Sequence, residues 1–161
     1  MGSAHRLSAP YQAFRTADGY VTLAALTPLQ WQRLCATLGR GALATDRRFE
    51  TNATRMANKA ALVREIEDAL SERTTAEWVD LMLAAGVPAG PIHDLAQVFA
   101  DPHTQARRMI EEIEHPVAGR VRTLGFPLKM SDTPPTVRRA PPRLGEHSSE
   151  IRRELGLEER A

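Results

Sequence analysis

Pro10-Tyr11-Gln12-Ala13-Phe14-Arg15-Thr16-Ala17-Asp18-Gly19-Tyr20-Val21-Thr22-Leu23-Ala24 sets two β-prone runs on either side of an Asp-Gly pair. Asp-Gly supplies the positive φ of a tight hairpin turn, so the stretch predicts an antiparallel hairpin. A lone hairpin is marginal in water and needs something against one face. The residues that follow supply helices. Thr27-Pro28 reads as an N-cap and first helical residue, Trp31, Leu34, Cys35 and Leu38 share one stripe, and Gly39 closes the helix. A connector through Asp46-Arg47-Arg48-Phe49 leads to one predicted helix over about 54–71, with Leu62, Val63, Ile66 and Leu70 on its apolar face. Thr74-Thr75-Ala76-Glu77 is a capping box before Trp78, Leu81, Met82 and Ala85, and Gly86 ends that helix.

Two prolines and two glycines within 86–91 exclude a helix there and predict a rigid, shaped connector. Short helices are predicted over 94–99 and 101–108, the second capped by Asp101-Pro102. A strand over 109–114, a turn at Pro116-Val117-Ala118-Gly119 and a return strand over 120–124 come next. Five of the eleven prolines then lie between 127 and 142. That density predicts an extended arm, followed by a short helix over 148–155 whose apolar anchors are Ile151 and Leu155. The predicted fold class is α+β: a small antiparallel sheet with several helices, then a proline-rich arm and a terminal helix. The predicted division is a domain over 1–125 and an arm over 126–161.

Composition narrows the function. The 161 residues carry 20 acids and 21 bases for a net charge of +1, which argues against nucleic acid or an anionic membrane as the main partner. No apolar run approaches the ~18 residues of a membrane span, and the first residues show no apolar export signal, so a cytoplasmic protein is expected. One cysteine excludes an internal disulfide framework and any multi-cysteine metal site. The five histidines pair into no metal-ligand spacing, and no metal site or tightly bound cofactor is predicted. Cys35 sits on an apolar stripe and reads as a core thiol rather than a nucleophile. Glu112 and Glu114 share one strand face and read as solvated. Gly145-Glu146-His147-Ser148 offers the residue types of a triad without its geometry. No residue is assigned a catalytic role.

Taken in order, several stretches resemble one family. They are Gly2-Ser3-Ala4-His5, Pro10 through Gly19 as quoted, and Asp46-Arg47-Arg48-Phe49-Glu50-Thr51-Asn52-Ala53-Thr54-Arg55 with Asn58. Ala85-Gly86-Val87-Pro88-Ala89-Gly90-Pro91 and Val98-Phe99-Ala100-Asp101-Pro102 follow. Glu114-His115-Pro116 with Gly119 and Leu144-Gly145-Glu146-His147-Ser148-Ser149-Glu150 complete the series. Together these resemble the C-terminal, small-domain part of the family III CoA-transferases, the formyl-CoA transferase, carnitine CoA-transferase and α-methylacyl-CoA racemase group. The resemblance implies transfer of CoA between carboxylic acids, with a coenzyme A thioester as substrate. It also implies a large N-terminal domain carrying the catalytic aspartate, and an interlocked homodimer. The fragment alone is then expected to be inactive, with its arm docked on the large domain. Two loops are candidates for touching substrate: the turn holding Ala25, Leu26 and Thr27, and the connector Val87, Pro88, Ala89 and Gly90. The former contains no glycine, unlike the glycine-rich loop of formyl-CoA transferase-like members. Two other readings stay open at this point: a non-catalytic binding or assembly module, and part of an acyl-CoA racemase.

Overall fold

The computed structural model describes residues 2–157, and the chain is α+β. It divides into two compact units that meet between His93 and Asp94 in sequence. In the first, β1 (Tyr11–Arg15) and β2 (Tyr20–Ala24) form the predicted antiparallel hairpin, with Phe14 opposite Val21 and Tyr11 opposite Ala24. The Asp-Gly pair works differently from expectation. The connection is a four-residue loop, and Gly19 is outside the left-handed region. Asp18 instead accepts hydrogen bonds from the Thr75 N–H (2.7 Å) and hydroxyl (2.8 Å). Those bonds, the backbone one foremost, hold its carboxyl below the usual carboxylate range. Gly19 is there for close approach, since a Cβ would stand 3.3 Å from the Thr75 hydroxyl.

α1 (Pro28–Thr37) starts at a capping box of Thr27 and Gln30, and α4 (Thr75–Ala84) at one of Thr74 and Glu77. The single helix expected over 54–71 is two: α2 (Asn52–Ala57), capped by Thr51 and Thr54, and α3 (Lys59–Leu70). Asn58 makes the break. Its backbone leaves the helical region, and its side-chain amide donates to the carbonyls of Arg48 (3.2 Å) and Thr54 (2.9 Å). The connector over 86–91 contains a strand that composition did not suggest, β3 (Ala89–Pro91), which pairs antiparallel with β2 through Leu23↔Ala89. The sheet order is β1-β2-β3.

One face of this sheet and the helices enclose the core: Phe14, Val21 and Leu23 meet Trp31, Leu34, Leu62, Ile66, Leu70, Trp78 and Met82, all buried. The Trp78 indole donates to the Leu70 carbonyl at 2.8 Å, so its N–H is not stranded in the apolar interior.

The second unit holds α5 (Leu95–Ala100), α6 (Pro102–Ala106), the hairpin of β4 (Ile110–His115) and β5 (Gly119–Leu124), and α7 (Ser148–Glu154). Asp94 and Asp101 cap the two short helices, and Gly119 supplies the positive φ that the β4–β5 turn needs. Residues 125–147 contain no helix or strand, and Leu128, Met130 and Leu144 on them are exposed. Arg139 holds this arm to α7 through a bidentate pair with Glu150 (2.9 and 2.7 Å).

Candidate functional site

β2 and β3 carry the two candidate loops to the same place. The backbone N–H of Ala24 donates to the Pro88 carbonyl at 3.1 Å, so the turn after β2 lies beside the connector that leads into β3. The turn is pinned twice more. Ala25 N–H donates to the Pro10 carbonyl at 3.0 Å, and the Gln30 side-chain carbonyl accepts from the N–H groups of Leu26 (2.9 Å) and Thr27 (3.1 Å).

A cleft of about 420 Å³ lies where these elements converge. Tyr11 of β1, Thr22, Leu23 and Ala24 of β2, Leu26 of the turn, and Pro88, Ala89 and Gly90 line it. Among the described residues its walls carry no charged side chain, and Leu26 is half-exposed. Four of the seven residues expected at substrate therefore line the cleft: Leu26, Pro88, Ala89 and Gly90. Ala25 and Val87 are each 1% exposed and belong to the core behind it. Thr27 spends its hydroxyl on the Gln30 N–H of α1 at 3.2 Å.

Tyr11, Thr22, Leu23 and Ala24 were not among the expected residues. The hairpin register could have found Tyr11, because a four-residue loop places it opposite Ala24 and beside the turn. The His5 ring stacks on Tyr11, with centroids 5.0 Å apart and planes 9° from parallel. On that side Tyr11 also lines a second cavity of about 500 Å³, formed with Ser3, Ala4, His5, Arg6 and Leu7.

The remaining candidates have structural explanations. Glu112 and Glu114 both reach Arg120 at 3.5 Å on an exposed face, a solvated ion cluster rather than an acid–base pair. His147 pairs with Glu150 at 3.6 Å on the first turn of α7. Among the described residues, no three His, Cys, Asp or Glu side chains form a group that could hold a metal ion, and no helix is long and apolar enough to cross a membrane.

Cys35 is fully buried, and burial pushes its thiol from 9.0 up to about 12. The thiolate is the nucleophile, so this sulfur is inert at neutral pH. Native chain at pH 8 is expected to take up no iodoacetamide at Cys35, with full labelling in denaturant, as mass spectrometry will read. The sign of the linkage is fixed by the raised folded value. Between pH 9.0 and about 12 the unfolded thiol ionises and the folded one does not, so stability falls as pH rises through that window.

The profile of CoA-transferase family III matches residues 1–148. Succinyl-CoA:glutarate CoA-transferase of Homo sapiens is 34% identical over 96% of this chain and 35% of its own length. Succinate–glutarate CoA-transferase of Agrobacterium fabrum is 38% identical over 99% of this chain and 40% of its own. The crystal structure of a CaiB/BaiF family protein from Brucella suis superposes with a TM-score of 0.79 at 40% identity, covering 96% of this chain and 40% of that one. The chain thus spans well under half the length of the proteins it matches.

Proposed function

Because the chain belongs to CoA-transferase family III, we propose that it supplies the acyl-binding wall of an enzyme that moves CoA from a thioester to a carboxylic acid. The observation that carries this reading is the uncharged cleft in which Leu26 and residues 88–90 come together. In the family mechanism, a carboxylate attacks the thioester carbonyl and the CoA thiolate leaves, giving an acyl anhydride. The thiolate then attacks the enzyme's own carbonyl of that anhydride. This releases the donor acid and leaves CoA on the enzyme, and the acceptor carboxylate runs the same steps in reverse. Splitting the transfer in this way lowers each barrier. Anhydrides and thioesters hydrolyse, so the wall facing them must exclude water. Leu23, Leu26, Pro88 and Ala89 provide such a wall.

The attacking carboxylate belongs, in this proposal, to a large domain outside the 161 residues. The proline-rich arm and α7 are its docking elements, and two copies interlock. The purified chain is expected to exchange no CoA between succinyl-CoA and glutarate, followed by mass spectrometry of the thioesters. Joined to a family III large domain, it is expected to turn over. Exchange by the chain alone would place the nucleophile within it and defeat the proposal.

A further inference from the structure

Of the three turn residues 25–27, Leu26 alone lines the cleft. It immediately precedes Thr27, the N-cap of α1, where an apolar residue ordinarily packs on the fourth helical residue, here Trp31. Trp31 is 2% exposed, but Leu26 is 54% exposed, so side-chain packing does not fix its place. The backbone does. All four backbone N–H groups from Ala24 to Thr27 donate within the chain: Ala24 to the Pro88 carbonyl, Ala25 to the Pro10 carbonyl, and Leu26 and Thr27 to the Gln30 side-chain carbonyl. A capping box accounts for the Thr27 bond. The Leu26 bond, the shorter of the two at 2.9 Å against 3.1 Å, is an addition that helix capping does not require.

We propose that Gln30 is a positioning residue for the cleft: its side-chain carbonyl holds Leu26 as a wall formed before any ligand arrives. The inference rests on the acyl-binding reading of that cleft. Gln30 does not line the cleft and acts through Leu26. With the amides of residues 24–27 all engaged, the turn meets an acyl group by shape and apolar contact rather than by donating to its oxygen. A wall already in place adds no ordering entropy to the cost of binding. Without the Gln30 carbonyl, the Leu26 and Thr27 N–H groups turn to water, and the turn must be ordered each time a ligand binds.

The test is titration of the ¹⁵N-labelled chain with pentanamide, a neutral acyl probe, read at the amides of residues 22–26, 89 and 90. Amide exchange with water is measured on the same samples. Gln30→Ala is expected to speed exchange at Leu26 and Thr27 about tenfold and to weaken pentanamide about three- to tenfold. Gln30→Glu keeps an acceptor oxygen in the same place and is expected to stay within about twofold of the native chain in both readouts. Thr27→Ala removes the hydroxyl that accepts the Gln30 N–H and leaves both bonds to the Gln30 side chain. Thr27 does not line the cleft, so this variant is expected to loosen the first turn of α1 with pentanamide affinity within about twofold of native. Unchanged exchange at Leu26, or native pentanamide affinity, in Gln30→Ala would overturn the positioning role and leave the cleft assignment standing. An equal loss of affinity in Thr27→Ala would assign the effect to helix capping and overturn it as well. If pentanamide shifts none of the cleft amides of the native chain, the acyl-binding reading falls and the role of Gln30 with it.

Discussion

Arg55→Met is expected to cost about 3–5 kcal/mol of stability, seen as a lower urea midpoint at unchanged slope. Arg55 is 3% exposed, and among the described residues no acid pairs with it. Its guanidinium donates to three backbone carbonyls: Ala9 through Nε at 2.6 Å, and Phe49 (2.9 Å) and Glu50 (3.3 Å) through Nη1. It also lies 4.9 Å above the Trp31 ring. Methionine keeps the apolar stem and strands the Ala9 and Phe49 carbonyls away from water, each at about 1–3 kcal/mol. Burial holds the guanidinium's pKa below its ordinary value, and it stays charged throughout the neutral range. Arg55→Lys is therefore expected to recover less than half of the loss, because a single ammonium does not reproduce the planar fork. A loss below about 1 kcal/mol for Arg55→Met would show that water reaches the carbonyls and that the contacts are not structural.

Arg55 works with Asn52, whose side chain accepts the Ala9 N–H at 3.0 Å and donates to the Leu7 carbonyl at 2.8 Å. The stretch from Asp46 to Asn58 that carries much of the family resemblance is therefore a clamp. It holds the segment preceding β1 against α2, and that segment forms the loop over Tyr11. Nothing in a single sequence separates an arginine that binds backbone from one that binds substrate. Arg55 sits among polar neighbours at a helix start, and only the returning chain at Ala9 explains its burial.

Local chemistry made most of the elements legible. Capping residues at Thr27, Thr74, Asp94 and Asp101 act on their own helices, so reading them needs no knowledge of the fold. The misses are all non-local. The apolar stripe of α3 gives no hint that Asn58 turns its amide on Arg48, ten residues back. Ala89, Gly90 and Pro91 have weak strand propensity, and they form β3 only because β2 offers a free edge at Val21, Thr22 and Leu23. The cleft inherits that difficulty. Its two loops were visible separately as turn chemistry, but the Ala24–Pro88 hydrogen bond that unites them depends on the unforeseen strand.

Gly90→Leu is the substitution that separates cleft from scaffold. A Cβ at residue 90 would meet only the Thr22 methyl at 4.0 Å, an ordinary contact, and no positive φ is required there. Backbone strain is therefore absent, and stability is expected to change by less than about 0.5 kcal/mol. The leucyl side chain adds its bulk at the cleft that Gly90 lines. Pentanoate binding to the chain, and kcat/KM for an acyl donor in the enzyme completed by a large domain, are expected to fall about 10- to 100-fold. Gly41→Leu provides the control: nothing lies within 4 Å of a Cβ there, and Gly41 is not among the residues that line the cleft. It adds the same apolar bulk to the same chain and is expected to leave both measurements unchanged. Equal acid binding by the two variants would mean that the cleft is a surface groove without a ligand, and the acyl-binding assignment would then have to move to another wall of the enzyme.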